Sequence, residues 1–511
     1  MNINNNDIII NDFKSGYKLN IKDDENKLKY ILNKIVEFLN RRFDINEKKY
    51  SVIISYDDKK TAENSLNILQ DTFISNGYDV YIFNDAYPKF VLSYMIRRIE
   101  SAVLGVMLSF LDDDNYLFRI YDESGHEYIN ERLVELSYLL KGDDRRNILQ
   151  KQTDDGIVNI VGEELINRFI DSEVLTSYFL NIYRGERKTK LYLLSQSGTY
   201  LKFVKEALKK TAYDVNIIEL DGNIEEELNS EELSKSDVYS LFVILNNNCE
   251  IEKIYYKNID KNLKLISSEE IIIMVSYFIN QVIFKRNVLP PNAFINTTIN
   301  VNEKVNKFYE RTSLLYEESG LEFKYVTNMI KESKKRGFNS ILAHDNSYTF
   351  LVADFVKEKD AIQSLILILD LVEYLQRQGK NISSLVKELD KETDEFKIIE
   401  ENLEIVDANS FINKLRREKI LSIANKDITK KLDYFTKRIN DYYLDAYLPF
   451  EDENQLPINM IKYIFENDEY VILSSDLKNN LLITCCLNIN QDINFKLSQI
   501  KEDIKSIVYK D

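Results

Sequence analysis

Apolar positions along this chain switch between two spacings. Over residues 27–42, Leu28, Ile31, Leu32, Ile35, Val36 and Leu39 recur at the three-and-four interval of one helix face. A compact apolar run at 50–55 reads as a buried strand. Helical spacing over 61–76, a strand at 79–83, a helix over 90–102 and an apolar strand at 103–110 come next. Strands alternating with helices in this way build parallel β-α-β units, with helices covering both faces of a sheet.

The rhythm returns twice. Strands at 190–195, 215–220 and 238–245 with a helix over 200–211 form a second unit. Strands at 296–301, 321–325 and 340–343 with helices over 302–317 and 361–378 form a third. From 433 to the end the order changes to strands at 470–474 and 481–489 and a helix over 494–506, the make-up of a small α+β domain. Linkers are expected near 142–156, 286–292 and 391–402. The fold class is therefore α/β: three consecutive α/β domains with mixed sheets and helices on both faces, then a small α+β C-terminal domain. The expected boundaries are 1–150, 151–285, 286–402 and 403–511.

Composition narrows the functional classes. A net charge of −17 opposes nucleic acid or an anionic membrane as partner, since either needs a positive face. It leaves room for a small anion in a local positive pocket. No window reaches the ~18 uninterrupted apolar residues of a membrane span, and residues 1–6 lack the pattern of a signal peptide. Three cysteines without a C-x-x-C pair point to a reducing, cytoplasmic setting. The 13 glycines and 5 prolines are few for 511 residues. Loops that hold phosphate on backbone N–H groups need glycine where the chain approaches the ligand.

Several segments in fixed order carry a resemblance. Residues 343–362 read A-H-D-N-S-Y-T-F-L-V-A-D-F-V-K-E-K-D-A-I. Tyr56-Asp57-Asp58-Lys59 precedes a G-Y-D-V-Y-I-F strand at 77–83, and 105–125 opens G-V-M-L and closes F-R-I-Y-D-E-S-G. These resemble the α-D-phosphohexomutase superfamily, in particular its larger bacterial phosphoglucomutase/phosphomannomutase type, over roughly 13–508. The first aligns without a gap on that family's G-F-E-E-S-Y-G-Y-L-V-G-D-H-V-R-D-K-D-A-V. The resemblance implies a heart-shaped four-domain architecture. It also implies transfer of a phosphate between two hexose oxygens through a phosphoserine, a magnesium ion and a bisphosphorylated sugar.

Each catalytic part is altered. Where the family carries its nucleophile in T-A-S-H-N-P, the segment 108–115 is about two residues shorter; Ser109 falls at the threonine and no serine falls at the nucleophile. The metal loop D-P-D-C-D-R becomes Asn246-Asn247-Asn248-Cys249-Glu250-Ile251, so Asn246, Asn248 and Glu250 stand where three aspartates hold magnesium. In the sugar loop 343–348 the two glutamates become Asp345 and Asn346, while Ser347 is kept. A side chain shorter by one methylene withdraws its oxygen by about 1.5 Å. Lys324 matches the lysine of T-G-F-K. The phosphate loop R-P-S-G-T-E-P-K becomes 473–480, where Leu473 replaces the arginine fork and Ser475 and Lys478 remain. Lys18, in F-K-S-G-Y-K, replaces an arginine of the family's F-G-T-G-G-L-R.

Loss at four loops, with the helices and strands between them kept, points to a phosphoglucomutase/phosphomannomutase-like pseudoenzyme that binds a sugar phosphate or partners an active mutase. The alternative is a divergent mutase interconverting hexose 1- and 6-phosphates, with Ser109 as a displaced nucleophile and Asp57 and Lys59 beside it. The candidate substrate-binding set is Lys18, Lys324, Asp345, Asn346, Ser347, Ser475 and Lys478. No cofactor is expected; magnesium enters only with residual mutase activity. A hexose phosphate and a protein are the candidate partners.

Overall fold

The computed structural model describes residues 11–13, 16–19, 25–45, 47–57, 59–112, 115–129, 135–136, 138–139, 156–177, 189–195, 200–219, 236–258, 260–283, 290–390, 396–405, 407–450, 458–475, 480–490 and 492–508. The first sheet has seven strands: β1 Asn11–Phe13, β2 Gly16–Leu19, β3 Ser51–Tyr56, β4 Asp79–Ile82, β5 Ala102–Asp112, β6 Asn115–Tyr121 and β7 Val158–Ile160, in the order β1-β2-β6-β5-β3-β4-β7. β3, β4, β5 and β7 run parallel, while β6, β2 and β1 add antiparallel neighbours. Helices α1 Glu25–Asn40, α2 Lys59–Ser75 and α3 Lys89–Ile96 connect them. β3 is buried along its whole length and reads as an uninterrupted apolar run, as a strand covered on both faces must.

The second unit follows helix α4 Glu163–Val174. It comprises β8 Lys190–Ser195, helix α5 Leu201–Lys209, β9 Asp214–Glu219, β10 Ser240–Leu245, β11 Ile251–Lys257 and β12 Leu263–Ile266, in the order β12-β11-β10-β8-β9. The third is a parallel sheet of β13 Ala293–Thr297, β14 Tyr316–Glu318 and β15 Asn339–His344 in the order β14-β13-β15. Its helices are α6 Ser268–Phe278, α7 Glu303–Thr312, α8 Phe323–Lys335, α9 Ala361–Arg377 and α10 Ile382–Asp390. The last is an eight-stranded sheet built from β16 Phe396–Leu403, β17 Ser422–Ile423, β18 Lys426–Asp433, β19 Arg438–Asp441, β20 Ala446–Pro449, β21 Met460–Phe465, β22 Tyr470–Ser475 and β23 Leu481–Asn488. Helices α11 Ala408–Arg417 and α12 Ile493–Val508 belong to it.

Three expected boundaries move. β7, beyond 150, pairs with β4 and so belongs to the first sheet. Helix α6, placed before 286, packs on α7, α9 and α10 of the third unit. β16, placed before 403, pairs with β23 along its whole length and opens the last sheet. Within the third unit, residues 321–325 were expected as a strand because Leu321, Phe323 and Tyr325 alternate with polar residues. The chain there enters α8, whose buried residues Phe323, Val326, Thr327 and Ile330 keep helical spacing. The strand is β14 instead, because α7 stops early at Ser313 in the left-handed region (φ 55°). The segment 108–115, expected as a loop, is mostly ladder, with Ser109 opposite Leu117 and Phe110 opposite Tyr116.

One continuous apolar core runs from Leu28 to Leu385 and joins the first three units, whereas the C-terminal sheet packs a core of its own. The cysteines Cys249, Cys485 and Cys486 are buried free thiols. Among the described residues no helix is long and apolar enough to cross a membrane. Helix α6 starts at a capping box: Ser267 Oγ accepts from Glu270 N, and Glu270 Oε2 accepts from Ser267 N. Ser267→Ala is expected to cost about 1 kcal/mol, measurable as a lower urea midpoint with unchanged far-ultraviolet circular dichroism.

Candidate active-site seam

Where the first three units meet, their charged side chains face one another in a row. Lys89 is the first residue of α3, after Pro88 at the N-cap, a position where both burial and the helix dipole disfavour an ammonium. Its Nζ lies 2.6 Å from Glu250 Oε1 in the second unit and 3.5 Å from Glu358 Oε2 in the third. Glu358 Oε1 accepts from Tyr121 Oη of β6 at 3.0 Å. Lys359 Nζ lies 3.2 Å from Glu250 Oε2 and 3.0 Å from Asp345 Oδ2, and donates to Ser347 Oγ. Tyr121, Glu358, Lys89, Glu250, Lys359, Asp345 and Ser347 thus form one chain of donors and acceptors with alternating charge. Burial by itself would raise the Glu250 carboxyl, but Lys359 and Lys89 outweigh it and hold the group well below the carboxylate range. For Lys359, Asp345 and Glu250 overcome the effect of burial and push the ammonium up.

Tight turns present these groups. The 246–250 turn closes the β10–β11 hairpin on itself: Asn246 Oδ1 accepts from Asn248 N and Glu250 N, both at 2.9 Å. Cys249, at φ 57°, supplies the left-handed residue. The tip is hooked to the third unit by Ile251 N donating to Thr349 Oγ1 at 2.7 Å. In the 343–348 segment, Asp345 Oδ1 accepts from Ser347 N and Ser347 Oγ. Asn346 turns away from the row, accepting from Asn302 N and donating to Asn300 O. Beyond it, the backbone of 354–357 is stitched to α3: Arg97 donates to Asp354 O, and Lys357 N donates to Ser93 Oγ. Ser93 in turn donates to Gly125 O. Gly125 has φ +78°, and a Cβ there would stand 2.5 Å from Ser93 O, so only glycine lets this turn lie against α3.

Beside the row is a second buried set. Ser109 is fully buried within β5 and its Oγ accepts from Arg119 Nη1 at 2.8 Å. Among the described residues, Arg119 Nε and Nη2 and Glu127 Oε1 are buried without a hydrogen-bond partner. Burial, then the Glu358 carboxylate, pushes Glu127 up to about 7, with Lys324, Arg119 and Lys89 pulling the other way. Lys324, in the first turn of α8, is buried 3.0 Å from Glu322 Oε2. His344, at the end of β15, is sealed in the core. Its Nε2 meets Tyr309 Oη at 2.7 Å and its Nδ1 meets Asp345 O at 3.0 Å. Burial lowers its pKa to about 4, so the ring is neutral and serves to brace the 345–347 turn.

Of the residues singled out in the sequence, the fold brings Glu250, Asp345 and Ser347 into one row and buries Lys324 and Ser109 nearby. Asn246 and Asn346 lie in the same loops but spend their amides on backbone. Asn248 lies in that hairpin turn. Asp57 is buried at the end of β3, its amide donating to Leu108 O. Lys59 opens α2 and Lys18 sits in β2, the side chains of both lying outside the described residues, as Lys478 does entirely. Ser475 is engaged inside its own domain, with Asn409 and Asn459. The sequence reading missed Lys89, Tyr121, Arg119, Glu358 and Lys359. The last two stand in the quoted K-E-K-D stretch, so their position was legible although their pairing was not. Among the described residues no group of three or more His, Cys, Asp or Glu side chains could hold a metal ion.

Comparison with known proteins agrees with this architecture. The family description "Phosphoglucomutase/phosphomannomutase, alpha/beta/alpha domain I" matches residues 14–138, and the corresponding domain III description matches 269–392. A phosphoglucomutase of Staphylococcus haemolyticus is 21% identical over 500 residues, covering 91% of this chain and 87% of its own. A phosphomannomutase of Mycoplasma genitalium is 20% identical over 375 residues, covering 69% and 66%. Among solved structures, a phosphoglucomutase/phosphomannomutase family protein of Burkholderia thailandensis superposes with a TM-score of 0.64 at 11% identity, covering 96% of each chain. The open form of the Paramecium phosphoglucomutase parafusin gives 0.59 at 11% identity, covering 98% and 94%.

Two stability measurements test the seam. Lys89→Met leaves Glu250 with Lys359 alone and Glu358 with Tyr121 alone, and should destabilise by about 3 kcal/mol. Adding Glu358→Gln should return part of that loss in a urea titration, because a carboxamide still accepts from Tyr121 without a buried charge. His344 titrates near 4 in the folded chain against an ordinary 6.5. The unfolded chain therefore binds the extra proton in that interval, and stability falls as pH drops from 6.5 towards 4, by up to about 3 kcal/mol. Thermal melts should show the stability gap between wild type and His344→Gln shrinking over that interval and constant above it.

Proposed function

This chain belongs to the α-D-phosphohexomutase superfamily, and on that premise we propose that it is a phosphoglucomutase/phosphomannomutase-like protein without mutase turnover. The observation that carries the reading is the engagement of Glu250. Both of its carboxylate oxygens face ammonium groups, Lys89 on one and Lys359 on the other. Magnesium demands an octahedron of oxygens at about 2.0–2.1 Å. Two lysines already stand against the one carboxylate of the loop, and their charge repels a divalent ion. The Asn246 carbonyl, the next oxygen in line, is spent on two amides of its own turn. The residues present do not fit magnesium.

The other parts support the same reading. A phosphoryl carrier needs an accessible oxygen nucleophile with a base in reach. The Ser109 hydroxyl is fully buried in a strand, with the Arg119 guanidinium as its hydrogen-bond donor, so it is not accessible to an incoming phosphate. Asp345 and Asn346, at the positions that in the family bind sugar, are bonded to Lys359, Ser347 and the backbone around Asn302. In this proposal the row of ion pairs does internally what substrate phosphates and a metal do in an active mutase: it neutralises the charges that converge on the cleft. The role left to the fold is recognition, of a hexose phosphate or of a protein.

The test is a coupled assay with glucose 1-phosphate, glucose 1,6-bisphosphate and magnesium, paired with intact-protein mass spectrometry. No turnover and no phosphate on the 102–121 hairpin are expected. A kcat above about 1 s⁻¹, within the ordinary enzyme range, or a phosphate on Ser109 that Ser109→Ala removes, would establish the divergent mutase instead.

A further inference from the structure

We propose that a cluster of four basic side chains at the C-terminal end of α3 binds a doubly charged oxyanion carried on a small apolar body, as in an organic phosphate. The cluster follows from where the chain turns. After Leu351 pairs with Ala343 in an antiparallel bridge, the backbone runs back beside β15 and brings Asp354 between α3 and α8. Arg97 caps α3 and Lys334 lies in the last turn of α8, where a cation is favoured by the helix dipole. Arg97 Nη1 donates to Asp354 O at 2.8 Å, and Lys357 Nζ donates to the same oxygen at 2.7 Å. Lys334 Nζ stands 2.7 Å from Asp354 Oδ2 and Lys357 Nζ 3.5 Å from it. Arg98, 4.8 Å over the Tyr94 ring, adds its charge beside Arg97.

Four cations thus gather around one carboxylate, on a chain whose net charge is −17. The two helix ends contribute about half a negative charge each, which still leaves the cluster positive. Against burial, Lys357, Lys334 and Arg97 hold the Asp354 carboxyl below its ordinary value. Burial pushes the Lys357 ammonium down to about 8; Asp354 opposes this, while Arg97 and Lys334 add to it. A dianion seated among these groups supplies the countercharge that Asp354 alone does not. The donors are within reach of solvent: Arg97 and Arg98 are exposed, and the Lys334 side chain is 62% exposed. Guanidinium forks match the oxygens of a phosphate. Beside them opens a cavity of about 280 Å³ that Lys334 and Asp354 line together with Ile330, Ile341, Val352 and Ala353. Its volume is near the lower end of small-ligand sites, roughly 300 Å³, and its walls suit an apolar body. Lys89, the seam residue of α3, begins the helix that Arg97 ends. The two sites are therefore about 12 Å apart along α3, and this one does not depend on whether the seam turns over.

The experiment is a calorimetric titration of the full chain with phenyl phosphate, and in parallel with the cation benzyltrimethylammonium. Saturable binding of the anion is expected with a Kd at or below about 1 mM, with the cation at least about tenfold weaker. Affinity should fall as salt is raised, because the donors are exposed and screened. Lys334→Gln and Arg98→Gln should each weaken the anion several-fold. Both side chains are exposed, so folding should be spared, and melting temperatures check this. Absence of saturable binding or equal affinity for the cation overturns the proposal. So does unchanged anion affinity in a folded Lys334→Gln chain, which would place the anion elsewhere, for instance at the seam.

Discussion

Burying ionised groups is costly, of the order of several kcal/mol for each after relaxation, and the centre of this molecule buries Lys89 and Glu358 and half-buries Glu250, Lys359 and Asp345. The arrangement is tolerable because the charges alternate. Glu358, Lys89, Glu250, Lys359 and Asp345 each touch a neighbour of opposite sign, and the neutral hydroxyls of Tyr121 and Ser347 end the row by donating to the Glu358 and Asp345 carboxylates. Removing any member exposes its neighbours to the desolvation that it had offset. The seam therefore holds as a unit, and with it the relative placement of three α/β units that already share one apolar core.

The same row underlies the proposed absence of mutase turnover. A carboxylate serves as a metal ligand or a sugar acceptor only when its lone pairs are open to the incoming group. Here local turn chemistry and long-range lysines have taken them. Asn246 and Asp345 both act as turn residues, accepting from amides two to four positions ahead, which is the ordinary behaviour of short polar side chains at turns. What remains for Glu250 and Asp345 is lysine, supplied from the first and third units. In this row three carboxylates and two lysines of the protein face one another.

The far pole of the third sheet is lined differently, by aromatic side chains beside Glu317, Glu318 and Arg336 around an open volume. The two regions lie at opposite ends of the third sheet, the seam beyond the C-terminal end of β15 and this volume at the N-terminal ends of β13, β14 and β15. Parallel strands impose that separation, because all their C-terminal ends emerge on one side and all their N-terminal ends on the other.

Much of this protein was determined by local sequence. The spacing of Leu28 through Leu39 made α1, the apolar run at 51–56 made β3, and the A-H-D-N-S-Y stretch located the turn at 345–347, because side-chain period and turn chemistry act over a few residues. The differences from the family's motifs at four loops are likewise written in the local sequence. Tertiary structure decided the rest. Residues 321–325 alternate like a strand, but a helix with Phe323, Val326 and Ile330 buried on one face begins at Phe323. β7 and β16 joined sheets on the far side of the expected boundaries, because strand pairing depends on partners distant in the chain. Above all, the pairing of Lys89 with Glu250 joins residues 161 positions apart. An ion pair is a property of distance and burial, and neither is written at any single position.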